Sequence, residues 1–150
     1  MTDIAFYHLQ RSPLEDVLPK LLEKTLDQGK RAVVMVGSDA RVGALDALLW
    51  TFGEGSWLPH GSAAEGSEAE QPVWLTTNDE NPNGATYLFL TDGARSDAVD
   101  TFERCFDLFD GNDAASLAGA RERWKACQDA DHRLTYWQQS SEGRWEEKKA

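Results

Sequence analysis

The run from Lys30 to Trp50, KRAVVMVGSDARVGALDALLW, constrains the fold of this chain more than any other stretch. It opens with five consecutive apolar residues, Ala32 to Val36. A half-exposed strand would alternate, so an unbroken run marks a strand covered on both faces, as in a parallel sheet. Gly37 ends the run, and Ser38 or Asp39 can cap a following helix by accepting its orphan backbone N–H groups. At 3.6 residues per turn, Val42, Leu45, Leu48, Leu49 and Phe52 share one face of that helix. Trp50 lies off the stripe. With Trp57 close by, it is a candidate for a surface that meets a partner, the alternative being an incidentally exposed or loop-covered indole.

The same grammar precedes this run. Ile4 to Leu9 is β-branched and aromatic and reads as a first strand. Ser12, Pro13 and Glu15 have the spacing of a capping box, Leu14, Val17, Leu18, Leu21, Leu22 and Leu26 follow at helical spacing, and Gly29 closes the helix. Pro19 removes an interior N–H, which predicts a kink or a helix whose regular part starts near it. Strand, helix, strand, helix in order implies right-handed crossovers and a parallel sheet.

Further along, residues 53–71 read as irregular: an apolar turn, WLPH, and then an acidic, small-residue loop over 61–71 expected to be mobile. Val73 to Thr76 and Ala85 to Leu90 read as strands around the turn Asn81 to Gly84. Asp97 can cap a helix carrying Val99, Phe102, Phe106 and Phe109, and a second helix is predicted from about Asp113 to Gln128. His132 to Trp137 reads as a last strand or extended segment, and 138–150 as a polar, flexible tail. One domain over 1–137 is expected.

Composition narrows the function classes. The chain has 150 residues, enough for one proper core. Its formal charge of −11 argues against gripping a phosphate backbone with the body of the protein, since nucleic-acid binders normally carry basic stripes. No apolar run approaches a membrane span, and MTDIAFYHLQ lacks the pattern of a signal peptide, so a cytoplasmic location is expected. Cys105 and Cys127 have no ligand-like spacing and read as reduced, helical, semi-buried thiols.

No catalytic motif is complete in the sequence. The loop GSDARVG has neither GxxxxGK[ST] nor GxGxxG spacing. Asp92, closing the strand YLFLT, resembles a magnesium-holding Asp but has no phosphate loop to serve. His8, His60 and His132 lie far apart without metal-ligand spacing, and His60 is better placed to bond backbone. There is no GxSxG elbow, and no catalytic constellation, cofactor site or metal site emerges.

The positive signal is the late helix SLAGARERWKACQD. Leu117, Ala120, Trp124 and Cys127 form its apolar stripe, Arg121 and Lys125 lie one turn apart along one flank, and Arg123 points to the other. Two cations beside an aromatic edge can hold a carboxylate next to an apolar group. Pairing of Arg121 and Lys125 with surface acids is the competing reading in so acidic a chain, and spacing alone does not choose.

FYHL at 6–9, GKRAVVMV at 29–36, DALLW at 46–50, WLPH at 57–60, PVW at 72–74, ARERWKA at 120–126 and TYW at 135–137 occur in an order that resembles the chi subunit of bacterial DNA polymerase III holoenzyme. This chain departs from it in the acidic 61–71 loop, in having Trp at 57 and 124, and in the tail after Gln138. The resemblance implies a Rossmann-like α/β fold with a mostly parallel central sheet, helices on both faces and no catalysis of its own. It further implies a role inside a DNA-directed DNA polymerase (nucleotidyltransferase) assembly, linking the clamp loader to single-stranded DNA-binding protein. Trp50, Trp57, Leu58 and Pro59 would face the psi subunit or another clamp-loader component. Arg121, Trp124 and Lys125, with Phe109 at the edge, would grip the acidic, Phe-ended tail of single-stranded DNA-binding protein. Neither direct nucleic-acid contact nor membrane association is expected. The rival reading is a small Rossmann-like enzyme or nucleotide-binding protein with an unrecognised site.

Overall fold

A computed structural model describes residues 2–51, 59–62, 66–140 and 142–148. In chain order the elements are β1 (Asp3–Leu9), α1 (Leu14–Asp27), β2 (Ala32–Met35), α2 (Asp39–Thr51), β3 (Gly61–Ser62), β4 (Val73–Thr76), β5 (Tyr87–Leu90), β6 (Arg104–Asp110), α3 (Ala114–Asp129), β7 (Arg133–Gln139) and β8 (Trp145–Lys148). The strands form one sheet in the order β3-β4-β2-β5-β6-β1-β7-β8. Every pairing is parallel except that of β8 with β7. Apolar residues lie on both faces of the central strands, so two cores form. One packs Leu18, Leu22, Leu45 and Leu49 of α1 and α2 against Ala5, Val34, Phe89 and Phe106. The other packs Ala120, with Trp124 and Leu117, against Ile4, Phe6, Cys105 and Phe109. This is a Rossmann-like, mostly parallel α/β domain with helices on both faces, as the opening run and the resemblance implied.

The first helix departs from its predicted start. Pro13 stands at the N-cap with no side-chain cap, and the helix runs through a buried Pro19. Ser12 serves the end of β7 instead: its Oγ accepts from Gln139 Nε2 at 3.0 Å, while Gln139 Oε1 accepts from the backbone N–H groups of Arg11 and Ser12. A tertiary partner has displaced a local cap. In α2 the expected cap forms, with Ser38 Oγ accepting from the Arg41 N–H at 3.3 Å.

The helix predicted after Asp97 does not form. Only Val99–Thr101 turns, as a 3-10 segment, and Arg104–Asp110 is β6, between β5 and β1. A strand buried on both faces loses the two-residue alternation, and the spacing of Phe102, Phe106 and Phe109 then imitates a helical stripe. Cys105 is therefore a buried strand residue, whereas Cys127 lies in α3 as expected. Burial raises both thiols above their ordinary values. Within 61–71, Gly61–Ser62 is an edge strand on β4 and Glu68–Glu70 a 3-10 turn, while 63–65 lie outside the described residues. The boundary drawn after Trp137 falls inside β7, and the polar segment beyond it contributes β8.

α3 is pinned by charge as well as by packing. Arg123 Nε donates to Asp107 Oδ2 at 2.6 Å and Nη2 to Oδ1 at 3.0 Å, a two-pronged pair with both side chains buried. Burial pushes the Asp107 carboxyl up, and the Arg123 hydrogen bond and charge oppose it. Gly119 clears the way, since a Cβ there would stand 3.2 Å from Arg123 Nη1. Removing one partner strands a buried charge, which costs roughly 3–5 kcal/mol, whereas replacing both with apolar residues of similar volume is often neutral. Arg123→Ala is thus expected to lose about 3 kcal/mol or more in urea denaturation, and Arg123→Met with Asp107→Leu much less.

Candidate functional site

Each residue of ARERWKA takes a distinct direction from α3. Ala120 is buried on the sheet, Arg123 reaches inward to Asp107, and Glu122 turns outward to accept from Arg95 at 3.0 Å. Arg121 and Trp124 face a hollow of about 400 Å³ between α3 and the sheet. Its sheet side is built by strand register. Phe109 of β6 lies level with His8 of β1, which lies level with Gln138 of β7; one row away, Phe6 is level with Tyr136, which is level with Lys148 of β8. Because side chains alternate along a strand, Phe109, Gln138, Tyr136 and Lys148 all emerge on the α3 face and line the hollow.

The hollow rests on packed aromatics. The Trp124 indole meets Phe6 and Tyr136 edge to face, with centroids 5.1 and 5.8 Å apart. Phe109 is 6.1 Å from Tyr136 and 5.2 Å from the His8 ring. Below them, His8 Nδ1 and the Tyr136 hydroxyl are hydrogen-bonded at 2.5 Å. The His8 ring lies so close to Gly111 that a Cβ there would overlap it at 1.9 Å, so only glycine fits. Burial lowers the His8 imidazole below its ordinary value, the adjoining Gly111 backbone opposes this, and the Arg121 charge pushes it lower still. Burial raises the Tyr136 phenol, against the pull of Arg121. The Arg121 charge is thus felt across the floor.

Of the residues predicted for this site, Arg121, Trp124 and Phe109 come together around the hollow, with Phe109 buried in its floor. Lys125 does not line it. At about 100° per residue it sits about 40° further round α3 than Arg121, which carries it out to solvent. Among the described residues neither Arg121 nor Lys125 is ion-paired with a carboxylate. The sequence reading missed Tyr136, Gln138 and Lys148. The alternation of Tyr136 and Gln138 within the last strand was available as a signal; the return of β8 was not.

The second predicted surface is described only in part. Trp50 is 58% exposed, the one exposed large hydrophobic side chain among the described residues. Its ring lies 4.6 Å from that of His60, whose Nε2 is 3.2 Å from the backbone oxygen of Asp46. Pro59 is half-buried beside it in sequence, and Trp57 and Leu58 lie outside the described residues.

A larger crevice of about 840 Å³ opens at the carboxyl ends of the strands, where doubly wound sheets commonly hold ligands. Its central charges are matched internally. Arg41 binds Asp92 at 3.1 Å and Glu15 at 3.2 Å, and Asp92 Oδ2 also accepts from the Gly37 N–H at 3.2 Å. The backbone that would greet a phosphate before α2 already faces the protein's own carboxylate.

Residues 1–135 match the family described as DNA polymerase III chi subunit, HolC. A protein of Rickettsia prowazekii (strain Madrid E) described as a probable DNA polymerase III subunit chi is 27% identical over 90 residues, 60% of this chain. The match spans 54% of that relative's own length, about half.

His8 makes stability depend on pH. Its folded-state value is lowered, so below its ordinary value of 6.5 the unfolded chain takes up a proton more readily than the folded one. Stability from this residue is complete above that value and declines as pH falls through it. His8→Gln is expected to flatten the fall in denaturation free energy between about pH 7 and pH 5.

Proposed function

Because this chain belongs to the DNA polymerase III chi subunit family, we propose that it is a non-catalytic accessory subunit of the replicative DNA polymerase. In this reading it acts in the cytoplasm, through one patch on the psi subunit or another clamp-loader component and through another on the C-terminal tail of single-stranded DNA-binding protein. The observation that carries the tail site is the α3 hollow: an aromatic floor of Phe109, Trp124 and Tyr136 under a rim holding Arg121. An acidic peptide with a terminal aromatic residue needs an apolar notch and a cation beside it, and a guanidinium fork can take a carboxylate with two parallel hydrogen bonds. The molecule as a whole, at −11, repels such a peptide at a distance, so affinity is local and weakens with salt.

Titration of a peptide ending in acidic residues, Pro and Phe is expected to show binding in about the micromolar range at low salt. Arg121→Ala is expected to weaken it about tenfold or more. Equal binding by that variant removes the assigned site.

The clamp-loader-facing patch is assigned to Trp50 and Pro59, and the family resemblance adds Trp57 and Leu58, which lie outside the described residues. A large exposed indole is the kind of anchor that dominates protein interfaces. Trp50→Ser is expected to change stability by less than about 0.5 kcal/mol, as an exposed substitution, while abolishing co-purification with psi. Retention of psi by this variant excludes Trp50 as the anchor.

A further inference from the structure

The hollow beside α3 has a second cationic wall, and it comes from the end of the chain that the family match does not reach. The match stops at residue 135, and β8 (Trp145–Lys148) lies beyond it. Resting on the tail-binding reading above, we infer that Lys148 is a further peptide-binding residue. It acts as the second cation for an acidic chain end, the part that the family resemblance gives to Lys125.

The geometry follows from the hairpin. Gly143, at φ +83°, lies in the turn, where its N–H donates to the Ser140 carbonyl and the Ser140 N–H donates to the Arg144 carbonyl. Trp145 then anchors β8 on the α1 face, its ring 5.0 Å from that of Tyr7 in an edge-to-face contact. Successive strand residues point to opposite faces, so seating Trp145 on one face sends Glu146 and Lys148 to the other. Register sets Lys148 opposite Tyr136 and Glu146 opposite Gln138. Lys148 thereby lines the hollow from the sheet edge while Arg121 lines it from the helix, with Tyr136 between the two walls.

Lys148 is not idle without a ligand. Its Nζ lies 3.4 Å from Glu146 Oε1, with both side chains about half exposed. An exposed pair of this kind is weak, so an incoming carboxylate can displace Glu146 as partner. Glu146 is therefore a built-in competitor, and the two residues are expected to act on affinity with opposite signs.

The test is titration of the full chain with the same acidic, Phe-ended peptide at low salt, alongside thermal denaturation of each variant. Lys148→Gln is expected to weaken binding about three- to tenfold, Lys148→Arg to retain it, and Glu146→Gln to tighten it about two- to fivefold, with unchanged unfolding midpoints. A Lys148→Gln protein that binds like the unmodified chain while Arg121→Ala has lost binding overturns the role of Lys148 and leaves the tail site standing. Weakening by Glu146→Gln equal to that by Lys148→Gln overturns it too, because it would report a damaged hairpin rather than a lost cation. No binding by the unmodified chain sinks the tail site and this assignment together.

Discussion

The buried pair between Arg123 and Asp107 sets the rotational phase of α3, and the candidate site depends on that phase. A helix held only by Leu117, Ala120 and Trp124 could roll on the sheet, since apolar contacts are not directional. A two-pronged guanidinium–carboxylate pair is directional. With Arg123 drawn inward on one flank, the 100° step of the helix brings Arg121 out on the other, at the lip of the hollow. Asp107 sits on β6, directly beside Phe6 on β1, so the pair ties the helix to the middle of the sheet.

The two ends of the sheet are finished differently, and both finishes bear on function. At the β7 edge, Gln139 holds the turn between β1 and α1, and the hairpin adds an antiparallel strand whose α3-facing side chains are polar. An edge strand ending in Glu146, Glu147 and Lys148 discourages further pairing while placing charge beside the aromatic floor. On the other side of the molecule Trp50 stands off the packed face of α2, whose Leu45 and Leu49 are buried. The two candidate patches thus belong to different helices, α3 and α2, on opposite faces of the sheet.

Several features were legible in the sequence because they are local. The unbroken run Ala32 to Val36, the leucine stripe of α1, the cap on α2 and the span of α3 each depend on residues within one or two turns of one another. The errors have a common cause. Ser12 had the right spacing for a capping box, yet a glutamine some 127 positions away took its hydroxyl. Phe102, Phe106 and Phe109 had helical spacing, yet Phe102 ends a 3-10 turn while Phe106 and Phe109 lie in a strand covered on both faces.

The chain by itself determined a parallel α/β domain, an indole off the core face of α2, and a cation about one turn along α3 from a tryptophan on its apolar stripe. These follow from period, capping and composition, which act over a few residues. Only the tertiary structure decided that Lys125 stands clear of the hollow, that Tyr136 and Phe109 floor it, and that Lys148 closes its far wall. Those placements depend on parallel register and on a returning strand, and register is set by contacts between segments far apart in the chain.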